Sequence, residues 1–160
     1  MWADKTDSNL MEAGKKKISK RILSRTESLA EVREFIDDAA RKFGFSEDDI
    51  ASIILAVDEA CTNIIKHAYQ YAVDKEIEIT IFPSTRSFEI RIYDNGKSFD
   101  PSQIRPPDLK EHLGHKRRGG LGVYLMKRLM DKVEYNFIPG KRNEVRLIKY
   151  RLDGTAQARR

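Results

Sequence analysis

Ala56-Val57-Asp58-Glu59-Ala60-Cys61-Thr62-Asn63-Ile64-Ile65-Lys66-His67-Ala68-Tyr69 is the stretch on which the reading of this chain turns. Apolar residues recur at Ile50, Ile53, Ile54, Val57, Cys61, Ile64, Ile65 and Ala68, the spacing of a helix that lays one stripe on a core. Ser46, with acidic residues behind it, opens this helix, which should run to about Gln70. Glu59 and Asn63 stand one turn apart, so their side chains project together and point away from the stripe. Ser52, Ala56 and Ala60 share that side. Small residues there leave room for something to approach a carboxylate and a carboxamide, a pair suited to accepting a proton beside a metal ligand. The same pattern also describes an ordinary solvated helix face.

Upstream, Ser28-Leu29-Ala30-Glu31 has the form of a capping box, and Leu29, Val32, Ile36, Ala39 and Phe43 follow at helical spacing until Gly44 stops the run. Ile18 to Ser24 is short and suits an edge strand. Downstream the period changes to two. Ile77, Ile79 and Ile81, then Phe88, Ile90 and Ile92, alternate with polar residues on either side of Pro83-Ser84-Thr85, which reads as a hairpin with one wet face. A second hairpin is expected from Val133 to Ile138 and Glu144 to Leu152, around Pro139-Gly140-Lys141-Arg142-Asn143. Between the hairpins, Leu121 to Asp131 reads as a helix with Leu121, Leu125 and Leu129 on one side. Helices segregated from mostly antiparallel strands predict an α+β two-layer sandwich with its helices on one face.

The chain of 160 residues has room for one domain with a real core. That domain is expected over 17–153, between an N-terminal tail, 1–16, and a C-terminal tail, 154–160. Hydrophobic residues are 40% and charged residues 34%, with no long apolar run, so nothing is expected to span a membrane. Met1 to Lys17 lacks an apolar signal core, which points to the cytoplasm. The net charge of +5 is modest. Basic residues cluster at Lys15 to Lys17, Lys116 to Arg118 and Arg159-Arg160 without interleaved aromatics, which argues against a nucleic-acid surface. The single cysteine, Cys61, excludes an internal disulfide and sits in the apolar stripe as a small buried residue.

Lys97 to Arg118 is polar, longer than connections usually run, and holds three of the five prolines; it is read as a lid. Before it, at a strand end, comes Tyr93-Asp94-Asn95-Gly96. A carboxylate there can accept a hydrogen bond from an exocyclic amine such as that of adenine, and Gly96 lets the backbone come close to a ring. Asp-Asn-Gly is also simply a good turn. After it, Gly119-Gly120-Leu121-Gly122 opens a helix, where unpaired N–H groups and the positive dipole end favour phosphate. A flexible joint has the same composition. His67, His112 and His115 find no completing cysteine or carboxylate set and are read as structural or solvent-facing.

Taken in this order, the three elements resemble the nucleotide site of the GHKL ATPase superfamily (gyrase, Hsp90, histidine kinase, MutL), whose Bergerat fold is an α+β sandwich. Glu59 and Asn63 match its N box, Asp94-Asn95-Gly96 the first glycine box, and Gly120-Leu121-Gly122 the second. Glu-Ala-Cys-Thr-Asn at 59–63, His67-Ala68-Tyr69, Phe99-Asp100-Pro101, Leu129-Met130-Asp131 and Asn143-Glu144-Val145 resemble one branch, the anti-sigma factor serine/threonine kinases of the RsbW and SpoIIAB type. The resemblance covers about Ile18 to Leu152. It implies ATP with Mg²⁺ on Asn63, Glu59 as catalytic base, Asp94 on the adenine amine, Gly96 against the base, and Gly119, Gly120, Leu121 and Gly122 against the phosphates. It further implies a homodimer that sequesters a sigma factor and phosphorylates an anti-anti-sigma (STAS-type) antagonist. Ser98 stands where the first box often has a second glycine, and Arg118 where the second can have its first. Two rival functions use the same pocket: a nucleotide-gated binding module without phosphate transfer, and a detached histidine-kinase catalytic domain.

Overall fold

A computed structural model describes residues 16–98, 121–138 and 141–152, Leu121 by its backbone only. The expected tails, apart from Lys16, and most of the expected lid, with His112 and His115, lie outside them. Strand β1 (Ile18–Leu23) and a short 3-10 turn (Thr26–Ser28) lead into helix α1 (Leu29–Phe43). Helix α2 (Glu47–Asn63) passes without a break into a π turn (Ile64–Ala68), and strands β2 (Glu76–Pro83) and β3 (Ser87–Asp94) form the first hairpin. Helix α3 (Leu121–Leu129) and the second hairpin, β4 (Lys132–Ile138) and β5 (Arg142–Tyr150), complete the chain. The strands form one five-stranded sheet, order β1-β2-β3-β5-β4, antiparallel at every pairing. This is the α+β architecture the sequence implied, with β1 at an edge.

The register explains the two faces. Ile79 lies opposite Ile92, which lies opposite Val145, and Ile90 lies opposite Leu147. These residues are buried, as are Ile77 and Ile81, because period-two alternation sends them all to the side that the helices cover. On the other face Arg91 stands directly opposite Arg146, a like-charge pair that destabilises when left alone. Glu89 offsets it, accepting from Arg146 Nε at 2.7 Å and Nη2 at 3.0 Å, while Glu134 takes Arg146 Nη1 at 3.0 Å.

In the helical layer α2 is the middle element, packed on α1 and on α3. Ile53, Val57, Cys61 and Ile64 are buried as the periodicity required. Burial pushes the Cys61 thiol up to about 12, so it is an inert packing residue. Among the described residues no helix is long and apolar enough to cross a membrane.

Three local expectations are corrected. Ser28 does not cap α1: it is itself helical, closing the 3-10 turn, and its side chain makes no cap hydrogen bond. Ser46 does cap α2, its Oγ accepting from Asp49 N at 3.2 Å. The buried side of α3 is Val123, Met126 and Met130, whereas Leu125 and Leu129 are only half-buried. Finally, the regular helix ends at Asn63 instead of continuing to Gln70. Tyr69 N donates to Ile64 O at 2.9 Å, a five-residue closure, and Gln70 and Tyr71 then turn left-handed, with φ of 49° and 65°.

Candidate active site

Because α2 lies between two other helices, its neighbours decide what surrounds Glu59 and Asn63. Gly122, in the first turn of α3, sits directly against both. A Cβ placed on it would fall 2.5 Å from Glu59 Oε2 and 3.7 Å from Asn63 Nδ2. The small residues on this side of α2 therefore admit a neighbouring helix: Ala56 and Ala60 are 0% and 1% exposed, and Glu59 and Asn63 are half-buried. The alternative of an ordinary solvated helix face is thereby set aside. The start of α3, rich in unpaired N–H groups, thus meets the carboxylate and carboxamide of α2.

Burial raises the pKa of Glu59, neighbouring Asp58 raises it further, and Lys66 opposes them. Asp58 itself is turned to α1, where Arg33 Nε and Nη2 each reach it at 3.0 Å. Neither Glu59 nor Asn63 makes a side-chain hydrogen bond among the described residues, so their oxygens keep their acceptor capacity.

Asp94 closes β3 and is 4% exposed. Its Oδ1 accepts from Gly96 N at 2.9 Å and from Asn143 Nδ2 at 2.8 Å. Oδ2 has no partner among the described residues and is left as an acceptor. Burial raises the pKa of this carboxyl, while the donors Asn143 and Gly96 hold it down. Asn143, opposite Asp94 in the β3–β5 ladder, also donates to Gly96 O at 3.0 Å, and Ser98 Oγ donates to Asn143 Oδ1 at 2.7 Å.

The π turn joins the two motifs. The Ala68 carbonyl lies at the end of the helix, where it has no intrahelical partner, and Lys97 N donates to it at 2.8 Å. Gly96 packs so closely there that a Cβ would lie 2.6 Å from the Ala68 carbonyl carbon and 2.8 Å from its Cβ. Next in sequence, Tyr69 donates through its hydroxyl to Glu76 O at 2.6 Å and accepts from Asn95 N at 2.9 Å. One phenol thus ties the loop after Asp94 to the helix that carries Asn63.

Of the sequence-derived site residues, Glu59, Asn63 and Gly122 meet, and Asp94 and Gly96 form a second cluster one π turn away. Gly119 and Gly120 lie outside the described residues, and Leu121 is placed by its backbone at the start of α3. His67 is exposed. Tyr69, Ser98 and Asn143 were not singled out as site residues. The signals for them were the Tyr that closes His67-Ala68-Tyr69, the hydroxyl standing in place of a second glycine, and the Asn that opens a strand after a turn.

A helical layer whose middle helix meets a glycine helix start, beside a buried carboxylate at a strand end, is an arrangement that suits a nucleotide. The family model described as histidine kinase-like ATPase domain matches residues 22–149. Serine-protein kinase RsbW of Bacillus cereus (strain AH820) is 38% identical over 122 residues, 74% of this chain and 76% of the relative. RsbW of Bacillus anthracis matches to the same extent, and that of Bacillus thuringiensis (strain Al Hakam) is 37% identical over the same shares. The chain belongs to the histidine kinase-like ATPase family, in its branch of RsbW serine-protein kinases. A crystal structure of the RsbU and RsbW domains of Mycobacterium tuberculosis Rv1364c shares the fold, with a TM-score of 0.60 at 15% identity, over 84% of this chain and 31% of that one. Family membership carries ATP as the nucleotide.

Proposed function

We propose that this serine/threonine kinase acts as an anti-sigma factor: it holds a sigma factor and phosphorylates an anti-anti-sigma (STAS-type) antagonist. The observation that supports the reading best is the contact of Gly122 with Glu59 and Asn63, which sets a phosphate-binding helix start beside a base and a hard oxygen ligand. In the transfer, the hydroxyl oxygen of the antagonist bonds to the γ-phosphorus, and the bond from that phosphorus to the β–γ bridging oxygen breaks. Its electron pair leaves with ADP. Glu59 accepts the hydroxyl proton, a role its raised pKa favours by moving it toward the working pH.

Among the described residues no group of three or more His, Cys, Asp or Glu forms a metal site. A cation whose coordination is completed by phosphate oxygens suits this donor set, with Asn63 as its protein ligand. Mg²⁺ held there would supply neutralisation of the phosphate charge. Asp94 Oδ2 takes the adenine amine, Gly96 lies against the base, and Gly119, Gly120, Leu121 and Gly122 face the phosphates. The identity to serine-protein kinases stands against the detached histidine-kinase domain.

Edge strand β1, paired only with β2 and exposing Ile18 and Leu23 at 41% and 44%, supports a homodimer formed along that edge. A monomeric mass by light scattering at micromolar concentration would count against it. Two mutants test the chemistry. Glu59→Ala should cut transfer to a co-purified serine-bearing partner and leave ATP affinity nearly unchanged, whereas Asn63→Ala should weaken both. Wild-type transfer by Glu59→Ala removes the carboxylate from the reaction. No transfer by wild type, with ATP still changing partner binding, would turn the protein into a nucleotide-gated module.

A further inference from the structure

We propose that Ser98 and Asn143 are positioning residues that fix which nucleobase Asp94 accepts, Ser98 by tethering the Asn143 amide and Asn143 by occupying one oxygen of the carboxylate. The proposal rests on the reading of Asp94 as the adenine acceptor.

A carboxamide presents a donor on one side and an acceptor on the other, and rotation by half a turn exchanges them. At Asn143 the two N–H groups of the amide meet two acceptors, Asp94 Oδ1 at 2.8 Å and Gly96 O at 3.0 Å. Ser98 Oγ meets the opposite side at 2.7 Å and donates to Oδ1 of the amide. A hydroxyl can donate or accept, so the two acceptors decide which way round the amide sits and Ser98 tethers it there. Without that tether the amide oxygen loses its donor and the amide moves more freely, loosening its hold on Asp94 Oδ1. In the ordered arrangement Oδ1 already carries two donors, Gly96 N and Asn143 Nδ2. Oδ2 is left as a pure acceptor at a fixed place. A pure acceptor welcomes an exocyclic amine and repels a carbonyl, so the three residues together select a 6-amino purine over a 6-oxo purine. The sequence departure at Ser98, where a glycine would supply no hydroxyl, thus has a partner in Asn143, 45 residues away.

The test is the ratio of ATP to ITP affinity, measured by calorimetry on the full chain, since inosine carries a carbonyl where adenine carries the amine. A side chain that only supports the fold would lower both affinities and the melting temperature together and leave the ratio alone. Ser98→Ala should lower the ratio about 3- to 10-fold, and Ser98→Thr, which keeps the hydroxyl, should hold it within about twofold of wild type. Asn143→Leu should lower it about 10- to 100-fold, because Asp94 then loses its partner as well. Asp94→Asn is the control and should abolish the preference. If that control loses the preference while Ser98→Ala and Asn143→Leu both retain the wild-type ratio, the positioning role is overturned and the adenine assignment stands. If Asp94→Asn itself keeps the wild-type ratio, the adenine assignment falls and the proposal with it.

Discussion

Glu59 and Asp94 are both carboxylates whose pKa burial raises, yet their surroundings differ in kind. Asp94 is 4% exposed and pinned by the Gly96 amide and the Asn143 amide, themselves braced by Ser98. Glu59 is half-buried, without a hydrogen bond among the described residues, and its neighbour Gly122 has no side chain to confine it. A group that reads a ligand must not move, since a displaced acceptor reads a different base. A group that takes a proton needs room to swing toward the hydroxyl. The difference in support therefore matches the difference in task.

The largest effect should come from removing the mobile member. Glu59→Gln should lower phosphoryl transfer about 10²- to 10⁴-fold and leave ATP affinity within about twofold; equal transfer rates in a partner-phosphorylation assay would erase the contrast. Asp94→Asn should do the reverse, weakening ATP about 10- to 100-fold by the loss of a charge-assisted acceptor. It should also raise the melting temperature of the nucleotide-free protein at neutral pH. The sign follows from linkage. A folded-state pKa raised above the unfolded value contributes stability that is full below the ordinary carboxylate range and is lost as pH rises through the raised pKa. Asparagine removes that dependence, so melting curves across pH should be flatter for the variant. An unchanged curve would mean that Asp94 costs the fold nothing.

Two glycines sharpen the same comparison at smaller scale. Gly122→Ala meets the far end of the Glu59 side chain, which can swing away, so transfer should fall roughly tenfold with little change in stability. Gly96→Ala meets the backbone of Ala68, which cannot, so it should destabilise the fold by about 1–3 kcal/mol in urea titration. Reversal of the two outcomes would put the rigid and mobile centres the other way round. The smallest effect is expected at Tyr69→Phe, about 1 kcal/mol, read as faster hydrogen exchange at the Asn95 amide.

The sequence made the architecture legible because it depends on local periods. The alternating isoleucines of β2 and β3, and the stripe of α2, each announce a buried face without help from distant residues. The order of motifs, with Glu59 and Asn63 on a helix and Asp94 at a strand end, was readable for the same reason. What escaped depends on distance. The Ser28 pattern fits a capping box, yet a 3-10 turn occupies the position. The leucines of α3 look like its core face, but the side it lays against α2 and the core carries Val123, Met126 and Met130. The bonds from Tyr69 to Asn95 and from Asn143 to Asp94 span 26 and 49 residues, and no local pattern encodes a hydrogen bond of that reach.

The five residues Ile64 to Ala68 amount to one helical turn with an extra residue in it. Deleting any one of them would give a regular helix, locally the more comfortable structure, and would rotate everything beyond it by about 100°. The Ala68 carbonyl would turn away from Lys97 N, and the Tyr69 phenol would swing away from both the Asn95 amide and the Glu76 carbonyl. Chain length is thus counted to the single residue at this point. Scanning single-residue deletions from Ile64 to Ala68 should give a sharp loss of stability.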